Sequence, residues 1–82
     1  MAAPSTKDIV DTFTRQVQGR LDETKLDGDV RLDNTHTVVI IPLKGKGPIH
    51  AHIQGGLDDQ GAENVVRQIQ SVPSLKGLVK QG

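Results

Sequence analysis

Apolar residues recur near the start of the chain at helical intervals. Ile9, Val10, Phe13, Val17 and Leu21 form one stripe, while Lys7, Asp11, Arg15, Gln18 and Asp22 fall off it. Ser5-Thr6-Lys7-Asp8 sets an N-cap hydroxyl three positions ahead of an acidic residue, so the spacing predicts a helix beginning here. Gly19 weakens its last turns by ~1 kcal/mol relative to alanine. After a polar link the period shortens to two. Asp29-Val30-Arg31-Leu32-Asp33 alternates as a half-buried strand does, Asp33-Asn34 supplies turn chemistry, and Thr35 to Ile41 is the most β-prone segment of the chain.

Pro42 cannot donate to a ladder and Lys44-Gly45-Lys46-Gly47 offers permissive backbone, so Pro48 to Gln54 is expected to return antiparallel. With Gly45-Lys46 as a two-residue loop, Ile40 opposes Ala51 and Val38 opposes Ile53. That register puts these four residues and Ile49 on the core face, and Val39, Ile41, His50 and His52 on the other. Gly55-Gly56 ends the strand. Asp58 or Asp59 then caps a second helix whose Ala62, Val65, Val66 and Ile69 point inward, and Leu75 to Lys80 is expected as a closing edge strand.

These elements predict an α+β fold in the order α-β-β-(β)-α-β, with two helices packed on one face of a small three- to four-stranded, mainly antiparallel sheet. Residues 1–82 read as one domain, with residues 1–4 as a flexible tail.

Composition narrows the function classes. Ten lysines and arginines balance ten aspartates and glutamates, which removes the footprint of general nucleic-acid binding, and the single aromatic, Phe13, offers no stacking platform for single strands. The absence of cysteine excludes disulfides, thiolate catalysis and cysteine-ligated zinc. The longest apolar run, Val38 to Ile41, is too short to span a bilayer and the N-terminus lacks signal-peptide character; the chain as given is expected to be soluble, with its compartment left open.

Candidate chemistry is sparse. His50-x-His52 aims two imidazoles to one side of a strand, but a metal centre needs more ligands, and His36 falls on the opposite face in the expected register. Lys44 and Lys46 in their glycine-rich turn could grip a phosphate or lipid headgroup, although the spacing is not a P-loop. Asp58-Asp59 reads as helix capping, and Ser5, Ser71 and Ser74 lack any nucleophile-elbow context. No catalytic residue, metal or cofactor is expected.

The pattern from Pro48 onward resembles the C-terminal half of the BON domain: a strand, Gly-Gly-Leu-Asp-Asp, a helix, and Ser71-Val72-Pro73-Ser74-Leu75-Lys76-Gly77-Leu78-Val79. The helix from Asp8 to Leu21 would match that family's opening helix, while the Thr35 to Gly47 segment is longer than its usual hairpin. The resemblance implies an α-β-β-α-β fold and a non-enzymatic binding role at bacterial envelopes, with phospholipid or protein as partner. Ile41-Pro42-Leu43-Lys44-Gly45-Lys46-Gly47-Pro48-Ile49-His50 is in turn similar to the strand-turn-strand of a mitochondrial oxidase-assembly factor family. The sequence-level expectation is a binding or assembly module, self-associating or bound to another protein, whose contact surface includes Val39, Ile41, His50 and His52. The alternative is a lipid or phosphate-headgroup binder using Lys44, Lys46 and Lys80.

Overall fold

The computed structural model describes residues 5–80; the tail expected at residues 1–4 lies outside them. Helix α1 spans Thr6–Gly19, strands β1, β2 and β3 span Arg31–Leu32, Val38–Ile41 and Ile49–His52, and helix α2 spans Asp59–Gln70. Short 3₁₀ turns occupy Glu23–Lys25 and Lys76–Leu78. Both α-helices begin where their caps dictate. Ser5 accepts a hydrogen bond from the Asp8 amide at 3.2 Å, and Asp58 accepts one from the Gly61 amide at 2.9 Å, each satisfying a first-turn donor with no intrahelical partner.

The three strands form one antiparallel sheet in the order β1-β2-β3, and the chain is α+β as its pattern implies. Phe13 and Val17 of α1, Val65, Val66 and Ile69 of α2, and Val39, Ile41 and Ala51 of the sheet meet in one apolar core. The helices also pack on each other across Gly61, where a side-chain carbon would lie 1.8 Å from the Gly56 carbonyl oxygen and 3.3 Å from Phe13. Only glycine admits the loop before α2 this close to the helix.

Two expectations are corrected. The closing strand does not form: Leu75 to Lys80 folds into the 3₁₀ turn followed by a single bridge between Leu21 and Val79. Leu78 and Val79 are adjacent and both buried, whereas an edge strand with one solvated face would bury only alternate residues. The second correction is the hairpin register. Val38 pairs with His52, Val39 with Ala51, Ile40 with His50 and Ile41 with Ile49, one residue off the expected alignment. A slip of one residue moves every side chain of a strand to the other face. Val39 and Ile41, expected on the outer contact face, therefore lie in the core with no exposure at all, and Val38 and Ile40 take their places outside.

The prolines explain the slip. Pro42 and Pro48 flank the connection and neither can donate, so the ladder stops at the Ile41–Ile49 pair instead of running into the turn. Leu43 leaves the hairpin and bridges Leu26, and the Lys44 amide donates to the Lys25 carbonyl at 3.1 Å. The reversal then centres on Lys44-Gly45, with Gly45 at φ 73° and the Lys46 amide reaching the Leu43 carbonyl at 3.4 Å. Because turn and ladder are uncoupled, the turn chemistry does not set the register.

Candidate functional site

Two surfaces bring together residues of chemical interest. The first is the outer face of the sheet and the free edge of β3. The ladder puts Arg31, Ile40 and His50 in one cross-strand row and Val38 beside His52 in the next. His50 and His52 are exposed and Val38 and Ile40 half-buried, so two imidazoles stand beside two aliphatic side chains. The core residues from both helices all join the opposite face, leaving this one without a covering element among the described residues.

The backbone of β3 adds a second property. The Ile53 amide donates to the Thr37 carbonyl at 2.9 Å, which marks that pair as hydrogen-bonded. Hydrogen-bonded pairs alternate along an antiparallel ladder, so Ala51 and Ile49 also bond to β2, while the N–H and C=O of His50 and His52 point away from it. Gln68 of α2 reaches across to donate its side-chain amide to the His52 carbonyl. The His50 N–H and C=O and the His52 N–H have no partner among the described residues. Beside this edge runs a groove of about 90 Å³, walled by Ile49 and Ala51 on one side and by Ile69, Val72 and Leu75 on the other. Val72 is one of two large apolar side chains left exposed among the described residues, at 39 %.

His36 does not join the other histidines. It sits in the β1–β2 turn with φ 57°, a left-handed conformation held by Asp33. One Asp33 carboxylate oxygen accepts from the Thr37 and Val38 amides at 2.9 and 3.0 Å, and the other accepts from the Thr35 hydroxyl at 2.6 Å. These bonds, the Thr35 hydroxyl foremost, stabilise the ionised carboxylate and lower its pKa to about 2. Asp22 is lowered in the same direction, first by the Thr24 hydroxyl and amide it caps.

The second surface is a cavity of about 380 Å³ at the β2–β3 turn. Lys44 and Lys46 line it, as their turn suggests, but Lys25, Thr24 and Ser74 line it too. No signal within the local sequence links Lys25 or Ser74 to the turn. Lys25 is brought in by the Leu26–Leu43 bridge, and Ser74 by the packing of Leu75 and Leu78. Lys80, the third lysine expected at a headgroup, is exposed outside the cavity lining, with its amide donating to the Arg20 carbonyl at 2.8 Å.

Among the described residues no group of three or more histidine, cysteine, aspartate or glutamate side chains is arranged to hold a metal ion. No described helix is long and apolar enough to cross a membrane. No family model, curated protein or solved structure matches the chain.

Proposed function

We propose that this chain is a non-enzymatic binding or assembly module that works by strand addition on β3, with the outer sheet face as the adjoining contact. The observation that carries the reading is the set of three unpaired edge groups, the His50 N–H and C=O and the His52 N–H. An exposed edge with free donors and acceptors is a template for another strand. The groove beside it, floored by Ile49 and Ala51, offers apolar contact to every second side chain of an incoming segment. Val38 and Ile40 extend the contact onto the face. Support for a non-enzymatic role is chemical: the exposed histidines adjoin aliphatic residues and Arg31, and the carboxylate of the His52 row, Asp33 opposite Val38, is taken up by the Thr35 hydroxyl and the Thr37 and Val38 amides.

The first partner to test is a second copy of the chain, by light scattering over a wide concentration range. Self-association is expected, with the apparent mass rising with concentration towards that of a dimer or larger species. His50→Pro removes an amide that faces away from β2 and leaves the existing ladder whole, so it should abolish association while the fold persists. A wild-type protein that stays monomeric at every concentration ends the self-association reading. Association indifferent to His50→Pro ends strand addition at β3.

A further inference from the structure

The cavity at the β2–β3 turn takes no part in strand addition, and its lining has a definite chemical character. Lys25, Lys44 and Lys46 contribute three ammonium groups, Thr24 and Ser74 two hydroxyls, and no carboxylate lines the space. The three cations are not equivalent. Lys25 donates to the Gly77 carbonyl at 3.0 Å and lies 4.0 Å from the Asp22 carboxylate, which fixes its position and takes up part of its charge. Lys44 and Lys46 have no ion-pair partner among the described residues. The Thr24 hydroxyl is occupied in donating to Asp22, whereas the Ser74 hydroxyl has no partner among the described residues. What remains for a ligand is two free ammonium groups and one free hydroxyl donor, which suits a small oxyanion carrying two charges.

The rest of the cavity is apolar. Leu43 and Leu78 are buried at its floor and the half-buried Leu75 forms a wall. The only aromatic side chain, Phe13, is buried in the core and does not line the cavity, so no ring is present to stack on a nucleobase. An aliphatic body fits these walls better than a planar one.

We propose that this cavity binds an aliphatic phosphate monoester, its dianionic phosphate between Lys44, Lys46 and Ser74 and its carbon chain against Leu43, Leu75 and Leu78. The same chemistry is found in a soluble alkyl phosphate and in the headgroup region of a phosphatidic acid bilayer, and the experiment separates them. Amide chemical shifts of the labelled protein are followed while hexyl phosphate, hexyl sulfate and hexanol are titrated in parallel, and co-sedimentation is measured with phosphatidylcholine vesicles with and without phosphatidic acid. Hexyl phosphate is expected to saturate shifts at residues 44–47 and 74–78, with hexyl sulfate several-fold weaker and hexanol inert. The double variant Lys44→Gln/Lys46→Gln should weaken binding by about tenfold or more, in keeping with loss of two charge-assisted contacts. Both lysines are exposed, so the remaining spectrum should be unchanged. Ser74→Ala, also exposed, tests the hydroxyl separately and should weaken binding by a smaller factor. Response to hexyl phosphate alone identifies a soluble ligand. Co-sedimentation that requires phosphatidic acid and is lost in the double variant, without a hexyl phosphate response, identifies the lipid. The proposal is overturned if neither form binds, if hexyl sulfate binds as tightly as hexyl phosphate, or if the double variant binds as well as wild type.

Discussion

Replacing glycine by alanine inside a helix ordinarily stabilises it by ~1 kcal/mol, since alanine loses less backbone freedom on folding. Gly61 in α2 should do the opposite. Its added carbon would meet the Gly56 carbonyl oxygen at 1.8 Å and the Gly56 carbonyl carbon at 3.1 Å, and both are backbone atoms that no rotamer change can move. The loop they belong to is pinned: Gly55 holds φ 97°, Asn64 donates to the Gln54 carbonyl at 2.9 Å, and Asp58 caps the helix. Relief must therefore come from separating loop and helix, which also opens the contact between Phe13 and α2. Overpacking of this kind costs about 3 kcal/mol at the upper end of the usual range, leaving a net loss of about 2 kcal/mol after the helical gain. For a domain of this size that is a Tm lower by about 8–16 °C.

Gly19 at the end of α1 supplies the internal control. Nothing lies within 4 Å of its added carbon, so Gly19→Ala should show only the propensity gain. Near a helix end that amounts to about 0.5 kcal/mol, or a Tm higher by about 2–4 °C. Thermal and urea unfolding of the two variants, followed by far-ultraviolet circular dichroism, gives shifts of opposite sign if the close approach at Gly61 is real. A Gly61→Ala protein as stable as wild type would refute the reasoning.

Two further predictions concern the β1–β2 turn. Because the folded Asp33 pKa of about 2 lies below its ordinary value of 3.8, this group adds stability above about pH 4 that is lost as the pH falls through 2. The urea midpoint of wild type should exceed that of Asp33→Asn near neutral pH and converge on it in acid, and a difference independent of pH would contradict the assignment. At His36, held at φ 57°, His36→Asn should be tolerated, whereas the β-branched His36→Val should cost about 1 kcal/mol in urea unfolding.

Both helices were legible in the sequence because their information is local. Ser5 and Asp58 cap where their spacing indicates, and Ala62, Val65, Val66 and Ile69 are all buried. The apolar stripe of α1 is wider in the sequence than in the fold: Ile9 stays 39 % exposed at the end of the helix while Phe13 and Val17 are buried. The strands were found but not their alignment. Val38, Val39, Ile40 and Ile41 are all β-branched and apolar, so the segment itself carries no inside and outside, and only its partner decides. Ile49, His50, Ala51 and His52 do alternate, and this strand keeps the orientation expected of it. The candidate contact surface consequently kept His50 and His52 and exchanged Val39 and Ile41 for Val38 and Ile40. At the basic cavity, Lys44 and Lys46 were visible as a turn motif, but Lys25 and Ser74 enter through contacts distant in sequence.

Zero net charge conceals the cationic cavity at the β2–β3 turn, and the reason lies in where each sign is used. Asp22, Asp33 and Asp58 accept hydrogen bonds from backbone amides at a 3₁₀ turn, a β-turn and a helix start, so these negative charges are committed to local structure. Glu63 serves both Arg20 and Arg67. The lysines of the β2–β3 turn have no such employment: Lys44 and Lys46 are exposed, lie in no ion pair among the described residues, and share a cavity without a carboxylate. A balanced count of charges therefore coexists with a locally cationic pocket, because acidic side chains satisfy backbone donors at caps and turns while lysine, which only donates, cannot answer those same amides. The same asymmetry separates the two surfaces proposed here: strand addition at β3 uses backbone groups of His50 and His52, whereas the cavity uses side chains left over from folding.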